Sequence, residues 1–148
     1  MEIERKFLVD KEKFDYKAFE SKKLVQGYLN TNPVVRVRKE DDEYYLTYKG
    51  KGMMVREEYN LALNKEAFDH LIKKADGNII SKTRYLIPFG KYTIELDEFD
   101  PPFAPLLLAE VEFESVEEAN AFVAPDWFLE DVTSDSAYHN SNMSKRKF

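Results

Sequence analysis

The first residues capable of chemistry stand at alternate positions: Glu2, Glu4 and Lys6, separated by Ile3 and Arg5. In an extended chain alternate side chains share a face, so two carboxylates and an ammonium would point the same way. Carboxylate oxygens suit a hard divalent cation, and cationic side chains suit phosphate oxygens, so this face could hold both ligands side by side. The device recurs along the chain. Arg36 and Arg38, Arg56 and Glu58, Lys82 and Arg84, Glu95 and Asp97, and Glu110 and Glu112 are all spaced i, i+2, and Lys49 ends another alternating run.

An antiparallel sheet with one face in water would also carry alternating charge, and for any one strand that is the plainer reading. Taken together, the pairs point elsewhere. Glu2/Glu4, Arg36/Arg38, Glu95/Asp97 and Glu110/Glu112 set like charges beside each other on one face, which costs electrostatic energy unless something of opposite charge bridges them. A metal ion and a polyanion would do so. Arginine offers bidentate recognition and lysine a compact charge, a mixture suited to a chain of phosphoryl groups.

The elements that must carry these residues are short and alternating. About eight strands are expected, over Glu2–Val9, Leu24–Asn30, Val34–Glu40, Glu43–Lys49, Val55–Leu63, Ile80–Pro88, Lys91–Phe99 and Leu107–Glu114. Their opposite face is apolar, with Ile3, Phe7, Val35, Val37, Ile94, Leu96, Val111 and Phe113. A helix is expected over Lys65–Ala75 behind the cap residue Asn64, and a second after the Ser115/Glu118 capping pair. Two weaker helical stretches lie at Lys11–Lys22 and after Thr133. If the strands close into an antiparallel barrel with the charged face inward, the fold is mainly β, α+β by helix content: an eight-stranded β-barrel tunnel with a charged lumen and helices packed outside.

Composition bounds the rest. The chain of 148 residues suits one domain, 1–148, and no repeat or Gly/Ser linker divides it. A formal charge of -6 argues against a basic coat for nucleic acid or an anionic membrane. With no cysteine there is no disulfide framework or thiolate site, and no spanning or signal segment stands out, so a soluble cytoplasmic protein is expected.

At this point the residues resemble a known family. The opening Glu2-Ile3-Glu4-Arg5-Lys6, an ExExK motif, is similar to the start of CYTH proteins, the triphosphate tunnel metalloenzymes. The likeness continues in order through Gln26-Gly27-Tyr28-Leu29, Val35-Arg36-Val37-Arg38, Leu46-Thr47-Tyr48-Lys49-Gly50, Arg56-Glu57-Glu58-Tyr59, Lys82-Thr83-Arg84-Tyr85, Glu95-Leu96-Asp97, Glu110-Val111-Glu112-Phe113 and Asp131-Val132-Thr133. ExExK alone is a weak signal; the ordered set is a specific one.

The resemblance implies an eight-stranded barrel and metal-dependent hydrolysis or cyclisation of triphosphate-containing substrates; because the compact chain has few insertions that could recognise a nucleoside, hydrolysis of inorganic tripolyphosphate or a related small triphosphate is expected. The cofactor would be Mg²⁺ or Mn²⁺, with two ions in the working complex. It implies Glu2, Glu4, Glu110 and Glu112 as principal metal carboxylates, supported by Glu58, Glu95 and Asp97. Lys6, Arg36, Arg38, Lys49, Arg56, Lys82 and Arg84 would hold phosphate oxygens. Lys6 and Glu4 are the catalytic candidates, Lys6 as proton acceptor or water-orienting group, with carboxylate-bound water an equally simple route. Asn60 stands where the family often has a further acid, which bears on the second metal.

Two other readings use the same lumen: a nucleoside or thiamine triphosphatase or class IV-type adenylate cyclase, and a non-catalytic polyphosphate-binding module. The partner in each is a small triphosphate or polyphosphate, with no nucleic acid and no membrane, and an exposed apolar wall leaves room for a homodimer. His70 and His139 lie off the charged faces and read as structural or surface residues, Trp127 as a packing anchor, and Lys145-Arg146-Lys147-Phe148 as a solvated tail. Gln26 and Tyr28 share parity and belong to the tunnel lining or to the barrel wall.

Overall fold

The computed structural model describes residues 1–148. Its strands are β1 (Glu2–Val9), β2 (Ser21–Thr31), β3 (Val34–Glu40), β4 (Glu43–Lys49), β5 (Val55–Arg56), β6 (Glu58–Leu63), β7 (Asp76–Phe89), β8 (Tyr92–Phe99), β9 (Leu107–Glu112) and β10 (Phe128–Asp131). Three helices, α1 (Lys65–Ile72), α2 (Val116–Ala121) and α3 (Asn140–Met143), and a 3-10 turn at Ser136–Tyr138 complete it.

All strand pairs are antiparallel, in the order β10-β1-β9-β8-β7-β2-β3-β4-β6, and β5 returns to β1 through Glu2↔Arg56 and Ile3↔Val55. The sheet therefore curls into a nearly closed ring. Glu57 interrupts the expected Val55–Leu63 strand: β6 continues on β4, while β5 bridges the gap to β1. Counting β5 and β6 as one interrupted strand, the ring has the expected eight members, and the short β10 is an addition that pairs with the far end of β1 at Phe7 and Val9. Splitting one strand lets a single segment serve both edges, which would otherwise stay unpaired.

The main apolar core lies outside the ring. Phe7, Ile94, Leu96, Val111 and Phe113 are packed with Trp127 and Phe128 from the return of the chain, as the alternation predicts. The expected helix at Lys11–Lys22 is absent. Asp10 and Asp15 accept from the backbone N–H groups of Glu12 and Lys17, turning the chain locally, and β2 begins at Ser21. Phe14 stacks on Trp127 at 4.3 Å, so the segment is held by its aromatics rather than by helical bonds.

Helix α1 starts where Asn64 accepts from Ala67 N, and it buries Phe68 against Tyr44. Its last residue comes so close to β2 that a Cβ on Gly27 would stand 2.8 Å from Ile72 Cδ1, and 2.7 Å from the Cβ of Ala75 just beyond the helix. The second helix is capped by Ser115, which accepts from Glu118 N. Coverage of the outer wall is incomplete: Tyr59 and Leu61 on β6 are 58% and 60% exposed.

The inward face is not charged throughout. Two residues beyond Lys82, Asp97 and Glu110 stand Ile80, Phe99 and Leu108, which join Tyr28, Val34, Val132 and Met143 in a second apolar cluster. Met143 is fully buried there, so α3 closes this end of the lumen.

Candidate active site

Strand register brings the distant charge pairs onto one wall. Glu4 stands opposite Glu112 and Lys6 opposite Glu110 across β1 and β9; Glu95 meets Glu110 across β8 and β9, and Arg84 meets Asp97 across β7 and β8. On the other side, Lys49 faces Glu58 across β4 and β6, while Arg36 and Arg38 line up with Tyr28 and Gln26 across β2 and β3. The cavity between them has a volume of about 310 Å³. Every expected metal or phosphate residue except Asp97 lines it, and only four of its 24 lining residues are hydrophobic.

Most charges in the lumen are paired. Lys49 Nζ lies 3.0 Å from Glu2 and 3.2 Å from Glu58, Lys6 lies 3.5 Å from Glu110, and Arg38 lies 3.1 Å from Glu40. Asp97, with no exposed surface, receives Arg84 Nε and Nη2 at 2.8 and 2.9 Å and Lys82 Nζ at 2.8 Å. Its carboxylate is thus the counter-ion that keeps two cations charged in the interior. Arg84 also reaches Glu95 at 3.1 Å.

Four charges have no ion-pair partner. Arg36 donates to Thr47 Oγ1 at 3.2 Å, yet its Nε is buried with no acceptor. Arg56 donates only to the Gly50 carbonyl. Glu4 and Glu112 have neither an ion pair nor a side-chain hydrogen bond. A buried donor without an acceptor costs about 1–3 kcal/mol, which an incoming oxygen would recover.

The acids titrate according to these surroundings. Burial, then Glu110 and Glu2, push Glu4 up to about 8. Glu2 rises to about 7, chiefly by burial, whereas Glu58, despite its own burial, is held at about 2 by the acid and ammonium beside it, Glu2 and Lys49. Burial and the nearby Glu58 and Glu95 also raise Glu112. Burial works against the charge on Glu110, but Lys6, Arg84 and Lys82 outweigh it and hold the carboxyl well below its ordinary range. Among the bases, burial lowers Lys82 to about 8 in spite of Asp97, and burial with Arg36 and Arg84 lowers Arg38 to about 10.

The donor chemistry fits a hard divalent cation: the acids are oxygen donors, and two of them, Glu4 and Glu112, are raised by loss of solvation and by neighbouring acids. As they stand, no three acidic or imidazole groups are gathered at metal-ligand spacing. Lys49 draws Glu2 and Glu58 to itself, and Lys6 and Arg84 draw Glu110.

Four residues depart from the sequence reading or resolve it. His139, expected at the surface or in a structural role, lines the cavity, and burial with the nearby Lys6 and Arg56 lowers it to about 4. Its position follows from the fold of the C-terminal segment, which no strand parity could reveal. Tyr28 lines the cavity, and Gln26 is fully buried behind it. Asn140, which sequence reasoning passed over, accepts from both Gln26 and Lys82. Asn60 uses its oxygen for Thr47 and its amide N–H for Glu58. His70 is exposed on α1, and Trp127 is a buried anchor as expected.

Comparison with known proteins agrees with this architecture. The CYTH domain matches residues 1–146. The chain is 39% identical to an inorganic triphosphatase of Nitrosomonas europaea over 97% of its own length and 96% of the relative's, and 35% identical to one of Acetivibrio thermocellus over 99% and 95%. A crystal structure of an inorganic triphosphatase superposes with a TM-score of 0.73 at 36% identity, covering 99% of this chain and 96% of the other. With the domain match running almost end to end and the charged lumen built from its ordered motifs, the chain belongs to the CYTH domain family.

Proposed function

We propose that the chain is a metal-dependent hydrolase of inorganic triphosphate, with the substrate held in the charged lumen. One observation carries the reading: the ionisable groups without an ion-pair partner in the lumen are two guanidiniums, Arg36 and Arg56, and two carboxyl groups, Glu4 and Glu112, whose raised values favour a cation in place of a proton. A ligand that satisfies both sets must be anionic and bring a cation, as a metal-bound polyphosphate does. The two inorganic triphosphatases at 39% and 35% identity support the substrate class.

Arg36, Arg38, Lys49, Arg56, Lys82 and Arg84 hold the phosphate oxygens and fix the chain of phosphoryl groups for in-line attack. Glu4 and Glu112 are the primary metal donors; Glu2, Glu58, Glu95 and Glu110 are the further ones, and Asp97 contributes by holding Arg84 and Lys82. When bound, Mg²⁺ or Mn²⁺ supplies charge neutralisation on phosphoryl oxygens and a water of lowered pKa. Two donor pairs, Glu4 with Glu112 and Glu2 with Glu58, favour two ions. Lys6, whose Nζ donates to the Tyr138 carbonyl at 3.0 Å beside Glu110, orients the attacking water. Attack breaks the terminal P–O bond and leaves phosphate and pyrophosphate.

Only four of the 24 lining residues are hydrophobic, two of them the tyrosines Tyr28 and Tyr45, so a nucleobase or a thiazolium ring would find little apolar surface, which ranks the nucleoside, thiamine and cyclase readings lower. No helix is long and apolar enough to cross a membrane, and the cysteine-free composition suits the cytoplasm. The homodimer rests on the exposed Tyr59 and Leu61 wall, and light scattering on the purified protein measures it.

The deciding assay is phosphate release from tripolyphosphate, ATP and thiamine triphosphate with Mg²⁺, Mn²⁺ or EDTA. Metal-dependent turnover of tripolyphosphate above the others is expected. Binding without turnover of any of them would leave a polyphosphate-binding module instead.

A further inference from the structure

The C-terminal segment touches the phosphate side of the lumen at three points. The Tyr138 carbonyl accepts from Lys6 Nζ at 3.0 Å, and Asn140 Oδ1 accepts from Lys82 Nζ at 3.0 Å and from Gln26 Nε2 at 2.9 Å. Gln26 then accepts from Arg38 Nε at 2.8 Å through its own oxygen. The direction of this chain is dictated by its ends. Ammonium and guanidinium groups can only donate, so Asn140 must turn its oxygen to Lys82 and Gln26 must turn its oxygen to Arg38. Gln26 Nε2 is left as the one donor that can join the two amides.

We propose that Asn140 and Gln26 form a positioning relay through which the docked C-terminal segment sets Lys82 and Arg38 for the triphosphate. The proposal rests on the lumen being the triphosphate site. Neutral amide oxygens orient a cation without cancelling its charge, whereas a carboxylate at position 140 would draw Lys82 away from an anionic ligand. Each cation also keeps a free donor. Lys82 has three N–H groups and commits them to Asp97 and Asn140 only, and Arg38 commits Nε to Gln26 and one Nη to Glu40. Long cationic side chains lose rotamer freedom when fixed, and the relay meets that cost before the ligand arrives.

The anchoring of the segment is equally specific. Asn78 N donates to the Ser144 carbonyl at 2.6 Å, and Asn78 Nδ2 to the Arg146 carbonyl at 2.6 Å. Gly77, at φ +69°, leaves space where a Cβ would stand 2.1 Å from the Ser144 oxygen. Asn140 is therefore delivered from a clamped backbone.

The test uses the full chain with Asn140→Ala and Gln26→Leu, singly and together. Steady-state kinetics on tripolyphosphate with Mg²⁺ is read beside thermal melting. Each single substitution is expected to raise KM about tenfold with kcat changed less than threefold, and the double variant is expected to be no worse than the worse single, because both cut one relay. Additive effects in the double variant, or an unchanged KM in Asn140→Ala, would overturn the proposal. If Asn140→Ala does not fold, Gln26→Leu decides alone, since it cuts the relay from the sheet, and an unchanged KM there overturns it. If the unsubstituted protein turns over no triphosphate, the hydrolase reading fails first. The same comparison is then made on the calorimetric affinity for tripolyphosphate, with the same two outcomes.

Discussion

Glu4 and Glu112 face each other across the β1–β9 ladder, and neither carboxylate has a cationic partner. Glu4 is the more perturbed of the two, titrating at about 8 against an ordinary 4.5 because it is buried near Glu110 and Glu2. Its folded value is raised, so the folded state binds the proton more tightly than the unfolded chain. Stability from this group is present below about pH 4.5 and is lost as pH rises towards 8. In the absence of metal, Glu4→Gln should therefore melt higher than the unsubstituted protein, with a gap that opens above pH 4.5 and levels off near 8. Melting curves in EDTA measure the gap, and a constant or inverted gap would contradict the assignment. The same substitution should lower metal-dependent turnover at least a hundredfold.

Asp97 gives the opposite sign. Removing its charge by Asp97→Asn leaves Arg84 and Lys82 buried without their shared counter-ion, and breaking such a pair costs about 3–5 kcal/mol. Urea unfolding should register that loss even with metal absent. A variant of native stability would mean that the two cations find other partners.

Arg36 separates binding from folding. It has no carboxylate partner, and its buried Nε is unsatisfied, so Arg36→Met orphans no acid. Stability should be unchanged or slightly raised, while kcat/KM for tripolyphosphate should fall about 10–150-fold, the range for a lost hydrogen bond to a charged group of about 1.5–3 kcal/mol. Kinetics and melting on the same preparation test both halves.

Lys6→Met addresses the water-orienting role. Folding should be retained, since Lys6 gives up one carbonyl contact and a 3.5 Å ion pair, and kcat should fall more than tenfold with KM changed less. Turnover close to that of the unsubstituted protein would remove Lys6 from the catalytic assignment.

Gly27→Ala probes the wall rather than the site. Its methyl would meet Ala75 Cβ at 2.7 Å and Ile72 Cδ1 at 2.8 Å, so the end of α1 and the turn after it must move off β2. Overpacking of this kind costs about 1–3 kcal/mol, readable by urea unfolding.

Strand parity by itself determined most of this protein. Charge at alternate positions from Glu2 to Glu112 assigned one face of each strand to the lumen and left Ile94, Leu96 and Val111 for the outer core, because a two-residue period is a property of the local backbone. Cap chemistry likewise marked α1 and α2 at Asn64 and Ser115. Which charges neutralise one another was decided only by tertiary structure. Asp97 and Glu95 look equivalent in sequence, yet register sets Asp97 opposite Arg84 and out of the cavity, while Glu95 stays on its wall. The break at Glu57 that lets β5 reach β1 depends on ring closure, and the arrival of His139 and Asn140 in the lumen depends on where Asn78 and Gly77 clamp the C-terminal segment. Those contacts join residues more than 50 positions apart, and no local pattern encodes a pairing at that distance.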